Sequence, residues 1–150
     1  AGDLESLRRD HTRVDAMTLP ANQEVVLDSV SGNAMEIVVE IDPCDAPSVD
    51  LNVLRSANRE ELTRITFYRD RGYRDRINLT NTFASTITID STYSSTAPDV
   101  RSRAPETAQF ALPEGDNLKL RVFIDRSVVE VFINGVQCLL HLNLERILKK

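Results

Sequence analysis

The segment near the end of the chain limits the fold most. Two β-favouring runs, 118–124 and 128–133, are joined only by Asp125, Arg126 and Ser127. A third run, 136–142, follows the pair Asn134 and Gly135. An Asp opening a tight turn can accept backbone N–H groups two residues on. An Asn-Gly pair accepts the positive φ angles of a type I′ turn. Runs this closely spaced predict a three-stranded antiparallel meander.

Period-two alternation continues upstream. In 35–41, Met35, Ile37, Val39 and Ile41 alternate with positions that include Glu36 and Glu40. A strand sends successive side chains to opposite faces, so this run reads as half-buried. Similar runs fall at 49–53, 63–67, 86–89 and 109–112. Many short strands with polar breaks predict an all-β sandwich or barrel. Residues 57–61 read as a turn. In 69–76, Arg69, Asp70, Arg71, Arg74, Asp75 and Arg76 surround Gly72 and Tyr73, which suits an exposed loop or hairpin tip. Residues 91–106, rich in Ser, Thr, Pro and Arg, read as a long loop. At 150 residues the chain suits a single domain, 1–150, able to bury a core without staples.

A net charge of -5 disfavours nucleic acid, whose binding needs excess Lys and Arg to neutralise phosphates. No apolar run is long enough to form a membrane-spanning helix, and no membrane partner is expected. The first residues lack the basic-then-apolar pattern of a signal peptide, and the compartment is left open. Cys44 and Cys138 do not make a disulfide framework, and both read as free thiols.

Glycosidic chemistry needs two carboxyl groups flanking a sugar, one with a raised pKa, and Asp70, Asp75, Asp125 and Glu130 are the candidates. Asp70 and Asp75 are interleaved with arginines, which lower rather than raise a carboxyl pKa. Asp125 reads as a turn residue, and Glu130 as a strand residue that pairs with an Arg or faces solvent. His11 and His141 have no partners at metal-ligand spacing, and His141, between Leu140 and Leu142, reads as outward. No nucleophile motif or Gly-rich phosphate loop is seen, so no catalytic, metal or cofactor-binding residue is expected. Asn78, Leu79 and Thr80 form a weak glycosylation triplet. The chain has no Trp, and its five Phe read mostly as core. That leaves Tyr73 and Tyr93, both in expected loops, as contacts for a sugar or an interface.

The core Asp-Arg-Ser-x-x-Glu-Val-Phe, carried by Asp125, Arg126, Ser127, Glu130, Val131 and Phe132, resembles the signature of the C-terminal domain of glycoside hydrolase family 32. That family includes invertases, levanases and inulinases. The segments 88–95 and 98–103 resemble the stretch that precedes the signature, and 19–24 and 36–42 resemble the family's early strands. The likeness extends from about Leu7 to Cys138; beyond it, 139–146 departs from the family's usual closing strand.

The resemblance implies a concanavalin A-like sandwich of two antiparallel sheets packed behind a five-bladed propeller. In that family the catalytic residues belong to the propeller, and their Asn-Asp-Pro, Arg-Asp-Pro and Glu-Cys motifs do not occur in this chain. The chain is therefore expected to be a C-terminal fragment without its catalytic propeller. The expected role is a non-catalytic accessory domain of an enzyme that hydrolyses β-fructosides of sucrose, levan or inulin type. It would support the propeller, shape its cleft and offer a homodimer contact. The alternative is a free-standing, lectin-like carbohydrate-binding module.

Overall fold

The structure, a computed structural model, describes residues 8–72, 83–100 and 103–135, and the backbone of 137–142. The chain divides into two units, Ala1–Gly32 and Asn33–Lys150.

All regular structure among the described residues lies in the second unit, as eight strands: β1 (Ala34–Ile41), β2 (Ser48–Val53), β3 (Thr63–Tyr68), β4 (Ser85–Asp90), β5 (Glu106–Phe110), β6 (Leu118–Asp125), β7 (Val128–Ile133) and β8 (Gln137–Leu142). One sheet has the order β1-β6-β7-β8 and the other β2-β3-β4-β5, with every pairing antiparallel. No helix occurs among the described residues. The fold is a β-sandwich, in which two sheets bury one face each against the other.

The alternation sets which face is buried. On β6, Leu118, Leu120, Val122 and Ile124 are buried, and on β7 so are Val129, Val131 and Ile133. They share one apolar cluster with Ile65 and Phe67 of β3 and Ile87 and Ile89 of β4. The Phe67 and Phe110 rings lie 6.0 Å apart, tilted by 52°. Two polar residues on this inner side are buried, Thr63 and Ser85. The Ser85 hydroxyl accepts the Asp70 N–H at 3.3 Å, which offsets the cost of burying it.

The turns follow their residues. Asp125 pairs with Val128 across Arg126 and Ser127. Arg126 has φ 53°, the positive angle at the first central position that suits a II′-like hairpin turn. Its N–H donates to the Asn33 carbonyl at 2.6 Å, tying this hairpin to the start of β1. Asn134 and Gly135 both have positive φ, 46° and 72°. Asn134 also extends the ladder: its N–H donates to the Lys119 carbonyl at 2.9 Å, and its Oδ1 accepts the Lys119 N–H at 2.8 Å. Ile133 pairs with Gln137, so β8 begins one residue later than the alternation suggests. In this register His141 pairs with the buried Val129, not with an outward position of β7.

Three other expectations are corrected. The strand read at 109–112 is Glu106–Phe110. Its inward positions, Glu106, Ala108 and Phe110, pair with Ile89, Ile87 and Ser85, a pattern obscured by the polar Glu106 and Thr107. Leu112 packs on the core beyond the strand end, and Pro113 after it cannot donate to a ladder. The segment 19–24, likened to an early strand, is not one: Ala21 and Asn22 form a turn, with Asn22 at φ 57°. Pro20, which has no N–H, precedes it. The third concerns phenylalanine. Phe67 is core, but Phe83 is exposed, and Phe123 and Phe132 are half-buried on the outward side of their strands.

Within the first unit, residues 8–32 are irregular, with a turn closed by Val30 N–H donating to the Leu27 carbonyl at 2.9 Å. Val14, Met17, Leu19, Val25, Val26 and Leu27 are exposed.

Gly72 closes the base of the β3–β4 connection, donating its N–H to the Ala84 carbonyl at 2.7 Å. A Cβ there would lie 2.8 Å from that oxygen and 3.1 Å from Gln109 Oε1. Gly72→Ala is expected to lower stability by about 1–3 kcal/mol, the usual range for forced overpacking. Urea unfolding of both proteins measures the difference, and an unchanged midpoint would count against so close an approach.

Candidate functional site

The two outward faces of the sandwich differ in chemistry. On the β2–β5 sheet the face carries a row of mutually paired polar groups, alongside the exposed Tyr68 ring and an Arg64 Nε that makes no hydrogen bond. Asp50, Thr66, Thr88 and Thr107 lie in register across all four strands. Thr66 Oγ1 donates to Asp50 Oδ1 at 2.7 Å, and the Thr88 and Thr107 hydroxyls are 3.0 Å apart. Arg64 lies 4.0 Å from Asp50.

The outward face of the other sheet is mixed, and it carries the signature residues. Phe123 and Phe132 meet edge to face, with centroids 5.8 Å apart and planes at 83°. The Arg121 guanidinium sits 4.7 Å above the Phe123 ring, and its Nε donates to Glu36 Oε1 at 2.6 Å. Ring pairs of this geometry contribute about 0.5–1.5 kcal/mol beyond area burial. The Arg121–Glu36 pair is partly exposed and contributes no more than about 1 kcal/mol. Val38 pairs with Arg121 in the register and is 71% exposed, a large apolar side chain left in water. Lys119 and Glu40 lie 3.7 Å apart at the edge of this face.

Of the acids nominated from sequence, Asp125 and Glu130 come onto this one face. Asp125 pairs with Val128 and Glu130 with Phe123, which makes the two acids cross-strand diagonal neighbours. Such neighbours lie roughly 7–8 Å apart. Asp125 is exposed at the turn, and Glu130 is half-buried beside the rings. Asp70 is elsewhere, in the turn after β3, and Asp75 lies outside the described residues. Two carboxyls on one flat face reach a sugar from one side only, whereas glycosidic cleavage needs them to flank the bond. Among the described residues no group of three His, Cys, Asp or Glu is placed to hold a metal ion.

Tyr93 is 61% exposed in the β4–β5 loop. The loop is fastened there: Leu62 N–H donates to the Tyr93 carbonyl at 2.8 Å, and Glu61 Oε1 accepts both the Thr96 N–H at 2.8 Å and its hydroxyl at 2.9 Å. Tyr73, the Asn78–Thr80 triplet and the Cys138 side chain lie outside the described residues.

The outward Phe123–Phe132 pair with Arg121 and Val38 is the feature that sequence reading missed. The signal was available, because once Leu118, Leu120, Val122 and Ile124 take the inner face, Phe123 must point out.

Cys44 is an exposed free thiol in the turn after β1. Asp42 Oδ1 accepts the Cys44 N–H at 2.9 Å, and this bond holds the Asp42 carboxyl below its ordinary 3.8. Asp42 therefore contributes stability above about pH 3.8, lost as pH falls through the lower folded-state value. The Cys44 thiol is pushed above 9.0, first by its hydrogen bond to the Asp42 carboxylate and then by that group's charge. Since the thiolate is the reactive form, Cys44 is expected to alkylate slowly at neutral pH. Asp42→Asn is expected to move the iodoacetamide pH profile of Cys44 downward. An unmoved profile would mean that Asp42 does not act on the thiol.

Residues 3–142 match the family described as Glycosyl hydrolases family 32 C terminal. No match is found among curated proteins.

Proposed function

The chain belongs to the family of C-terminal domains of glycoside hydrolase family 32, and from that premise we propose that it is a non-catalytic accessory domain of a β-fructoside-hydrolysing enzyme. Bonds of sucrose, levan or inulin type are cut on a propeller in the same polypeptide, and the sandwich supports that propeller and shapes its cleft. The observation that carries this reading is the match over residues 3–142. It agrees with a site in which Asp125 and Glu130 share one flat face. The signature residues then act as structure: Asp125, Arg126 and Ser127 close the hairpin, while Glu130 and Phe132 furnish the outward face.

The test is hydrolysis. The 150-residue chain is expected to release no fructose from sucrose, inulin or levan, while the polypeptide carrying both domains does release it. Release by the chain alone, abolished by Glu130→Gln or Asp125→Asn, would overturn the reading.

One observation favours a lectin-like role as a second reading. The exposed Tyr93 ring, on a loop fastened by Glu61 and Leu62, is the kind of platform on which a sugar face packs. Calorimetric titration with fructo-oligosaccharides decides it. Binding that Tyr93→Ala removes would support the lectin reading, and no heat at millimolar sugar would reject it.

A further inference from the structure

We propose that the outward face of the β2-β3-β4-β5 sheet binds a neutral oligosaccharide, with the Tyr68 ring as its platform and Arg64 and Asp50 as its hydrogen-bonding groups. This goes beyond the accessory-domain reading, and only the choice of a fructose-based ligand rests on that reading.

Tyr68 closes β3 on the outward side and is 39% exposed, while Ile65 and Phe67 of the same strand fill the core. Every other outward position of β2 to β5 is polar, so one ring stands in a field of hydroxyl, amide and charged groups. A sugar needs that combination: a ring to pack its apolar face on, and donors and acceptors for hydroxyls that do both. In the register Tyr68 lies opposite Ser48 on the edge strand and Thr86 on β4.

The second observation lies four residues back on β3, about 13 Å from Tyr68. Arg64 Nε is buried and makes no hydrogen bond, and Asp50 Oδ2, its ion-pair partner, is 4.0 Å away, beyond hydrogen-bond reach. A buried donor left unpaired is costly. Both side chains are nevertheless partly exposed, so a ligand hydroxyl set between them would turn the guanidinium outward, accepting from it and donating to the carboxylate. Thr66, midway along the row, holds that carboxylate in place by donating to Asp50 Oδ1 at 2.7 Å.

The face also selects among ligands. Arg64 is outnumbered by Asp50 and Asp90, so an anion finds no excess of positive charge. A protein contact centres on an apolar and aromatic core, which a single ring does not provide.

The test is calorimetric titration of the 150-residue chain with inulin- and levan-type oligosaccharides, and with cello-oligosaccharides as a second neutral ligand. Millimolar binding of the fructose-based ligands is expected, weakened at least about tenfold by Tyr68→Ala and little changed by Tyr68→Phe, which keeps the ring. Arg64→Gln is expected to weaken it as well. Ser48→Arg leaves Tyr68 in place but covers it from the exposed position opposite. It is expected to weaken binding even if Tyr68→Ala fails to fold, and circular dichroism reports the folding of each variant. No binding of either ligand class at millimolar sugar would overturn the site and leave the accessory reading to its hydrolysis test. Binding lost in Tyr93→Ala but kept in Tyr68→Ala would overturn it too, moving the sugar to the β4–β5 loop. Tyr68-dependent binding of cello-oligosaccharides alone would uphold the site and count against the β-fructoside reading.

Discussion

Phe67→Ala is expected to destabilise the sandwich by roughly 3–5 kcal/mol, the range for deleting a buried phenylalanine ring. Phe67 is 1% exposed, lies on the inward side of β3, and packs at 6.0 Å against the Phe110 ring inside the shared core. The loss has two parts: the transfer free energy of the ring and the cavity left where neighbours cannot close in. Native domains are stable by only about 5–15 kcal/mol, so the variant is expected to lie near the edge of folding. Denaturant unfolding followed by circular dichroism measures it. Phe123→Ala is the control. That ring is half-buried on the outward face, and its removal forfeits the edge-to-face contact with Phe132 and the Arg121 stack. The expected cost is about 1–2 kcal/mol. Equal losses in the two variants would mean that the faces are not as described.

That contrast also marks how much of the architecture was legible in the residues. The alternation of Met35, Ile37, Val39 and Ile41 with Glu36 and Glu40 gave β1 its faces, because a buried side and a charged side cannot be exchanged. The Asn-Gly break located one reversal of the meander because that pair accepts positive φ, and the Asp-Arg-Ser break located the other through an Asp suited to open a tight turn. Legibility was weaker where an aromatic ring sits on the polar face of a strand. In 118–124 Lys119 and Arg121 mark the outward parity that Phe123 shares, whereas in 128–133 Glu130 is the one polar residue to do so for Phe132. Phe123 and Phe132 read as core by residue type, but they share the outward face with Glu36 of β1, Arg121 of β6 and Glu130 of β7, their partners in the register. It failed at β5, where Glu106 and Thr107 at the start of an edge strand hide the inward trio Glu106, Ala108 and Phe110. The candidate site was less legible than the fold. That outward face is a property of several strands in register, and no single run of sequence contains Val38, Arg121, Phe123 and Phe132 together.

The sharpest test of that register uses two adjacent residues on β7. Val131 is 0% exposed and lies opposite Val122, also 0% exposed, at the centre of the core. Val131→Asp would put a carboxylate where no cation or donor is available from the apolar cluster around it. Burying an unpaired charge is so costly that the group protonates or the chain unfolds, and either outcome removes several kcal/mol of stability. The variant is therefore expected to be unfolded at neutral pH and to regain structure partially as the pH is lowered toward carboxyl protonation. The sign follows from the buried acid: its folded-state pKa is raised, so the penalty grows as pH rises above the ordinary value. Phe132→Asp, one residue on, places the same charge on the outward face near Arg121 and is expected to cost only about 1–2 kcal/mol, chiefly the lost ring contact. Circular dichroism of both variants across pH separates the cases. If Phe132→Asp unfolded and Val131→Asp did not, β7 would be turned over, and the face that carries Phe123 and Phe132 would instead be the interior of the sandwich.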